Sequence, residues 1–302
     1  MRQHPSFDIL VIPMPVQPDM VPSALETRGL DGHAWAGSVS ARAFGVRFGI
    51  RVDDATRIPA ILRRLPPGSR VCDRARDHAV RYSITTAADT SAEHGSTRWR
   101  VYADDRLEVD EPDEASALRG FEGLVRFDVA RLAARWTFVH AGVVEWHGRA
   151  ILIPGISYSG KSRLIEALVR AGAGYYSDEY AALDRRGRVH PFAKPLTIRR
   201  DVGGIDEVEV EASTIGGANG TRALQVGLVV ATHYVSGAKW QPVSVSDGGT
   251  VLALLAHTVR AQLAPARVMR TLAHVATTAV TLEGERGEAA QTADEILKRA
   301  LP

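Results

Sequence analysis

The pattern of apolar and polar positions changes period near the middle of the chain. In the first third the runs are short and alternate. Residues 42–52 (RAFGVRFGIRV), 78–86 (HAVRYSITT) and 96–104 (STRWRVYAD) have period-two character, which predicts strands. The turn-forming stretch 86–96 predicts a hairpin loop between the last two. From 110 to 136 the period lengthens. Leu118, Phe121, Leu124, Val125, Val129 and Leu132 fall on one helical stripe, behind Pro112 and acidic residues that suit a helix start.

Beyond this helix the pattern is that of an α/β unit. Residues 137–146 (TFVHAGVVEW) and 149–154 (RAILIP), separated by a turn at Gly148, predict two neighbouring strands. Leu164, Ile165, Leu168 and Val169 then recur at helical spacing, and Gly172 closes that helix. Residues 173–184 predict one strand with acidic residues at its end, and a further short strand is expected near 188–192. The acidic, glycine-rich stretch 201–222 predicts a mobile loop. A buried strand follows over 223–235, then two helices within 250–276 broken at Pro265, a last strand (AVTLEGE) and a C-terminal helix (QTADEILKRAL). A β-rich α+β module over 1–125 and an α/β module over 126–302 are therefore expected.

Between the strand 149–154 and the next helix stands Gly155-Ile-Ser-Tyr-Ser-Gly-Lys-Ser162, which satisfies G-x-x-x-x-G-K-[ST]. Each residue type has a separate use. Glycines let backbone amides close around phosphate oxygens, the helix N-terminus adds positive potential, the lysine neutralises phosphate charge and the serine hydroxyl can ligate Mg2+. The strand before the loop and the helix after it are the setting this chemistry needs. Gly155, Ser157, Tyr158, Ser159, Gly160, Lys161 and Ser162 are thus the expected nucleotide-binding residues. Asp178 and Glu179, at the expected end of the following strand, can hold the metal or take a proton from an attacking hydroxyl. His140, on the strand before the loop, is a further phosphate-contact candidate; the alternative is a core histidine.

Composition narrows the classes. Hydrophobic residues at 45% and charged residues at 24% suit a globular chain, and a net charge of +2 does not by itself call for a polyanionic partner. Arg98, Trp99 and Arg100 interleave charge with an aromatic, but a strand edge explains them equally well, so no nucleic acid is expected. No apolar run is long enough for a membrane span. The single cysteine, Cys72, and an N-terminal apolar run interrupted by prolines lead to the expectation of a reducing, cytoplasmic setting.

Four segments together resemble the catalytic domain of the HPr kinase/phosphorylase family: HAGVV (140–144), GRAILIPGISYSGKS (148–162), RAGAGYYSDEYAAL (170–183) and HPFAKPLTIR (190–199). They are most similar to its relatives outside sugar regulation, including serine kinases of peptide natural-product clusters. The closing segment 279–297 is similar to the family's last strand and helix. The resemblance implies an α/β P-loop kinase domain of the HPr kinase/PEP carboxykinase-like type. It implies ATP and Mg2+ as cofactors and a hydroxyl acceptor, either a serine of a peptide or protein or a small molecule. Asp178 would be the base, Glu179 and Ser162 would serve the metal, Lys161 the phosphates, and His140 the γ-phosphate or acid/base chemistry. Arg199 or Arg200 would supply transition-state charge, and Tyr158, bulky for its place in the loop, would face the acceptor. Homo-oligomers are common in that family, so self-association is an expectation. The family's acidic pair is usually two aspartates, and here the second is glutamate. The resemblance does not extend through 201–213, so it implies neither HPr as substrate nor the reverse reaction.

Overall fold

The computed structural model describes residue Leu30 and residues 33–72, 77–88, 97–156, 159–201 and 205–300. Its architecture is mixed α/β, with two large sheets and a small hairpin.

The first sheet is built from β1 (Gly37–Ala43), β2 (Val46–Val52), helix α1 (Ile58–Arg63), β3 (Arg70–Cys72), β4 (Val80–Ala88), β5 (Thr97–Ala103) and β6 (Arg106–Glu111), in the order β3-β1-β2-β4-β5-β6. Its pairs are antiparallel except β2 with β4. Helix α2 (Glu114–Leu132), capped by the Asp113 carboxylate on the Ser116 amide, packs on it. Phe121, Val125 and Val129 of α2 join Phe48, Ile50, Tyr82, Ile84 and Val101 in one core. The Tyr82 hydroxyl is satisfied there by Asp128 at 3.0 Å.

The expected single strand over 42–52 is instead a hairpin. Phe44 and Gly45 both take positive φ, +48° and +87°, as a tight two-residue turn requires. A phenylalanine is not a turn signal. Its ring meets Trp136 and Phe138 at 5.0 and 5.2 Å, edge to face, and this packing offsets the left-handed backbone. The hairpin tip thereby joins the first sheet to the second.

The second sheet contains β7 (Thr137–Trp146), β8 (Arg149–Pro154), β9 (Gly174–Ser177), β10 (Tyr180–Leu183), β11 (Arg188–His190), β14 (Leu224–Tyr234), β15 (Val243–Val245) and β16 (Val280–Arg286). Between β8 and β9 lies α3 (Lys161–Arg170), and β12 (Leu196–Asp201) pairs with β13 (Ile205–Val210) as a separate hairpin. Helices α4 (Asp247–Leu255) and α5 (Pro265–Ala276) follow β15, and α6 (Ala289–Arg299) follows β16. The order is β11-β10-β7-β8-β14-β16-β15, with β9 on β7 as well and β14 parallel to both β8 and β16.

Both faces of this sheet are covered, which is why β8 and β14 read as nearly continuous apolar runs. Ile151, Ile153, Leu228 and Val230 face α3 and α6, where Leu164, Leu168 and Ile296 meet them. Leu152, Val143 and Val229 face α4 and α5, with Leu254, Val268 and Leu272. At Gly142 a Cβ would stand 2.6 Å from Ile165 Cγ1, so α3 sits on β7 only because that position has no side chain.

Two further expectations are corrected. The stretch 201–222 is not mostly loop: 205–210 pairs with β12, whose Leu196 and Ile198 are buried against the α3 core. Residues 173–184 form two strands rather than one. Ser177 Oγ accepts the amides of both Glu179 and Tyr180, at 3.1 and 2.9 Å, which interrupts the strand at Asp178 and Glu179, although the Glu179 carbonyl still accepts the Ala141 amide of β7. Ser177 stands opposite Val143 and Tyr180 opposite His140, while a bulge between Val143 and Val144 shifts the earlier pairs of β9 by one residue. The acidic pair thus directly follows the end of β9, as expected, at a corner before β10.

Candidate functional site

The site lies where β7, β8, α3 and this acidic corner meet. The Gly155 amide donates to the His140 carbonyl at 3.2 Å, which ties the start of the loop to β7. Gly155 is tightly enclosed, since a Cβ there would lie 2.9 Å from Ser159 Oγ. Gly160 precedes α3 at φ +79°, and no side chain caps the helix. The amides of a first helical turn have no intrahelical partner, so this end offers donors and positive potential to an anion. Ser159 Oγ is itself buried without a partner.

Lys161, only 7% exposed, folds back so that its ammonium donates to the Ile156 carbonyl at 2.6 Å. Burial pushes its pKa down to about 8, against the upward pull of Asp178 and Glu179. Next to it, the Ser162 hydroxyl stands 3.5 Å from Asp178 Oδ2. This contact joins the start of α3 to the acidic corner.

Asp178 is nearly fully buried, and donors surround its carboxylate. Oδ1 meets the Lys194 ammonium at 3.0 Å and the Tyr175 hydroxyl at 3.1 Å. Oδ2 accepts from the Thr197 amide at 3.1 Å and faces Ser162. Four donors match the roughly four lone-pair sites of a carboxylate. To act as a base Asp178 must exchange one of them, and the long Ser162 contact is the weakest. The Tyr175 proton is also claimed by the Lys194 carbonyl at 2.9 Å, and burial followed by the Asp178 charge holds that phenol well above its ordinary range.

Glu179 is held from another direction. Its Oε2 lies 2.9 Å from Arg126 Nε of α2, and Arg126 is also paired with Glu122. Burial pushes the Glu179 carboxyl up, while Arg126 and then Lys194 oppose this. For Arg126, burial acts downward but the charges of Glu179 and Glu122 outweigh it. The two carboxylates thus share their surroundings with Lys161, Lys194 and Arg126, the last of which also pairs with Glu122.

His140 shares the α3-facing side of β7 with Gly142 and Val144, at the end where the loop begins. Its amide donates to the His257 carbonyl at 2.8 Å. Burial, then the Lys161 charge, lowers its pKa to about 4, so the imidazole is neutral at pH 7. His257 is lowered by the same two causes.

Of the residues expected from sequence, the structure gathers His140, Gly155, Ser159, Gly160, Lys161, Ser162, Asp178 and Glu179. Ser157 and Tyr158 lie outside the described residues. Arg199 and Arg200 are placed by backbone only, on β12 opposite Glu207 and Asp206. The basic pair Arg98 and Arg100 faces Asp110 at 2.5 and 3.3 Å, and Arg57 stacks over Trp99, so internal partners account for that cluster.

Sequence reasoning missed Lys194, Tyr175, Arg126 and Arg286. Arg286 of β16, 2% exposed, donates to the Gly160 carbonyl at 2.9 Å and the Ser159 carbonyl at 3.3 Å, holding the loop from behind. Tyr175, Lys194 and Arg286 lie in segments already singled out, 170–183, 190–199 and 279–297, but nothing local marked their contacts.

The residues fit the cofactors that the motif implies. A hydroxyl and carboxylates are the hard oxygen donors Mg2+ takes in company with phosphate oxygens. Among the described residues no group of three or more His, Cys, Asp or Glu could hold a metal on its own. Among them, too, no helix is long and apolar enough to cross a membrane. Compared with known proteins, the chain matches no family model and no curated sequence.

Proposed function

We propose that this chain is an ATP- and Mg2+-dependent kinase of the HPr kinase-like P-loop type, transferring the γ-phosphoryl group to the hydroxyl of a serine in a peptide or protein. The observation that carries the reading is the contact between Ser162 and Asp178 at the uncapped start of α3. It brings the uncapped start of a helix, a hydroxyl on that helix and a buried carboxylate from the corner after β9 into one place.

In this reading the α3 amides and Lys161 hold the phosphates, and Ser162 and Glu179 hold Mg2+, which supplies charge neutralisation. Asp178 accepts the acceptor's proton as its oxygen bonds to phosphorus and the bond to the departing ADP breaks. Lys194, beside Asp178, adds positive charge, and neutral His140 offers an N–H rather than an imidazolium. Catalysis is positioning and electrostatics.

The test is incubation with ATP, Mg2+ and a library of serine-containing peptides, read by mass spectrometry. Phosphopeptides that disappear in Asp178→Asn, with nucleotide binding retained, support the reading. Phosphorylation confined to small hydroxyl metabolites would move the acceptor class. The saturated carboxylate of Asp178 favours one second reading, a nucleotide-binding regulator without turnover. In that case Asp178→Asn changes no product because none forms.

A further inference from the structure

The two acidic side chains of the corner are held by different parts of the molecule. Asp178 is surrounded by α3, β9, β12 and the segment before β12. Glu179 has its backbone fixed by β7, whose Ala141 amide donates to the Glu179 carbonyl at 3.1 Å. Its carboxylate, however, is met from α2, the helix packed on the first sheet, through Arg126 Nε at 2.9 Å. Arg126 is itself anchored, donating to Glu122 Oε1, and Glu122 Oε2 accepts from Arg64 at the end of α1 at 3.1 Å. These side chains are at most about a third exposed, and those of Arg126 and Glu122 are 14% and 15% exposed. The relay Arg64–Glu122–Arg126–Glu179 runs from a helix of the first sheet to the carboxylate assigned to the metal.

We propose that Arg126 is a positioning residue for Glu179, and that through this relay the first sheet governs how well the chain holds the metal that accompanies the nucleotide. The inference rests on the kinase reading, because it takes Glu179 as a metal carboxylate. Three features support it. Arg126 Nε meets Oε2 at 2.9 Å as an ion pair without the alignment of a hydrogen bond, so one carboxylate oxygen faces a cation from the side of α2. The guanidinium cannot follow Glu179 freely, because Glu122 holds its other arm. Lastly, a glutamate carries its carboxylate on one more rotatable bond than an aspartate such as the neighbouring Asp178, so fixing its head matters more. Partners that orient a metal's ligand typically change metal affinity by about 10–100-fold when removed.

The experiment is Mn2+ binding followed by electron paramagnetic resonance, with a non-hydrolysable ATP analogue, on the full chain and its variants. Affinity for the analogue in EDTA is measured in parallel. Arg126→Met is expected to weaken Mn2+ binding at least about tenfold with metal-free nucleotide affinity unchanged. Arg126→Lys, which keeps a cation, is expected to recover most of the loss. Folding is checked by circular dichroism. If Arg126→Met does not fold, Glu122→Gln decides: it keeps the volume and loosens the anchor, and a several-fold loss of Mn2+ affinity is expected. Unchanged Mn2+ affinity in the folded variants, or a parallel fall in metal-free nucleotide affinity, overturns the proposal. Unchanged Mn2+ affinity in Glu179→Gln overturns it too. A folded wild-type chain that binds the analogue neither with Mn2+ nor in EDTA sinks the kinase reading itself, a result distinct from all of these.

Discussion

Protonation of His140 should cost this fold much of its acid stability. The perturbation is a shift from pH 7.5 to pH 5 in the wild type and in His140→Gln, which keeps a polar side chain that does not titrate. An unfolded histidine titrates near the ordinary 6.5, whereas burial and Lys161 bring folded His140 to about 4. Between these values the unfolded chain binds more protons than the native one, so stability rises with pH and is lost as pH falls. At pH 5 the linkage for one such group is about 2 kcal/mol, and below pH 4 it approaches about 3.4 kcal/mol. Carboxylates that titrate in the same range contribute to both proteins and cancel in the difference. Urea unfolding at the two pH values is the assay. The variant is expected to lose about 2 kcal/mol less than the wild type over that interval. Equal losses would mean that native His140 takes up its proton freely at pH 5. That would refute the enclosed, Lys161-facing environment assigned to it. The lowered pKa of His257 adds to the acid sensitivity that remains in the variant.

Lys194→Ala removes a buried partner of Asp178 and should cost about 3 kcal/mol in urea unfolding, with much of it recovered in the Lys194→Ala/Asp178→Asn pair. No recovery would show that the ion pair does not set the loss. Gly160→Ala puts a Cβ 2.5 Å from Arg286 Nη2 at a left-handed position, so nucleotide affinity should fall along with about 1–2 kcal/mol of stability. Isothermal titration calorimetry with wild-type affinity would contradict that loop geometry. Phe121→Ala should cost about 3–5 kcal/mol by emptying the core between α2 and the first sheet. A loss under about 1 kcal/mol in thermal or urea unfolding would show that core to be incompletely packed.

The segment from β7 through α3 was legible because its signals are local. Two buried strands, a glycine turn, the loop and one amphipathic helix lie consecutively, and each pattern matches the element formed. The corner at Asp178–Glu179 was not legible as a corner. The serine hydroxyl that takes two backbone amides looks, in sequence, like any strand residue. Phe44 hid a turn for a related reason, since its left-handed backbone is compensated by Trp136 and Phe138 from far along the chain. The β12–β13 hairpin was obscured by Gly203 and Gly204, although Ile205, Val208 and Val210 already carried apolar positions there. Arg126, Lys194 and Arg286 belong to the site through tertiary contacts alone. A sequence pattern shows which residues can bind phosphate, but not which cations the fold brings beside them.

The central claim is that Gly155 to Ser162 form the donor site for a nucleotide. Equilibrium binding of ATP with Mg2+ to the wild type and to Lys161→Ala tests it most directly. The account predicts saturable, one-to-one binding by the wild type, weakened at least about tenfold in the variant by loss of a charge-assisted contact. Absence of binding by the folded wild type, or equal affinity in both proteins, would contradict it.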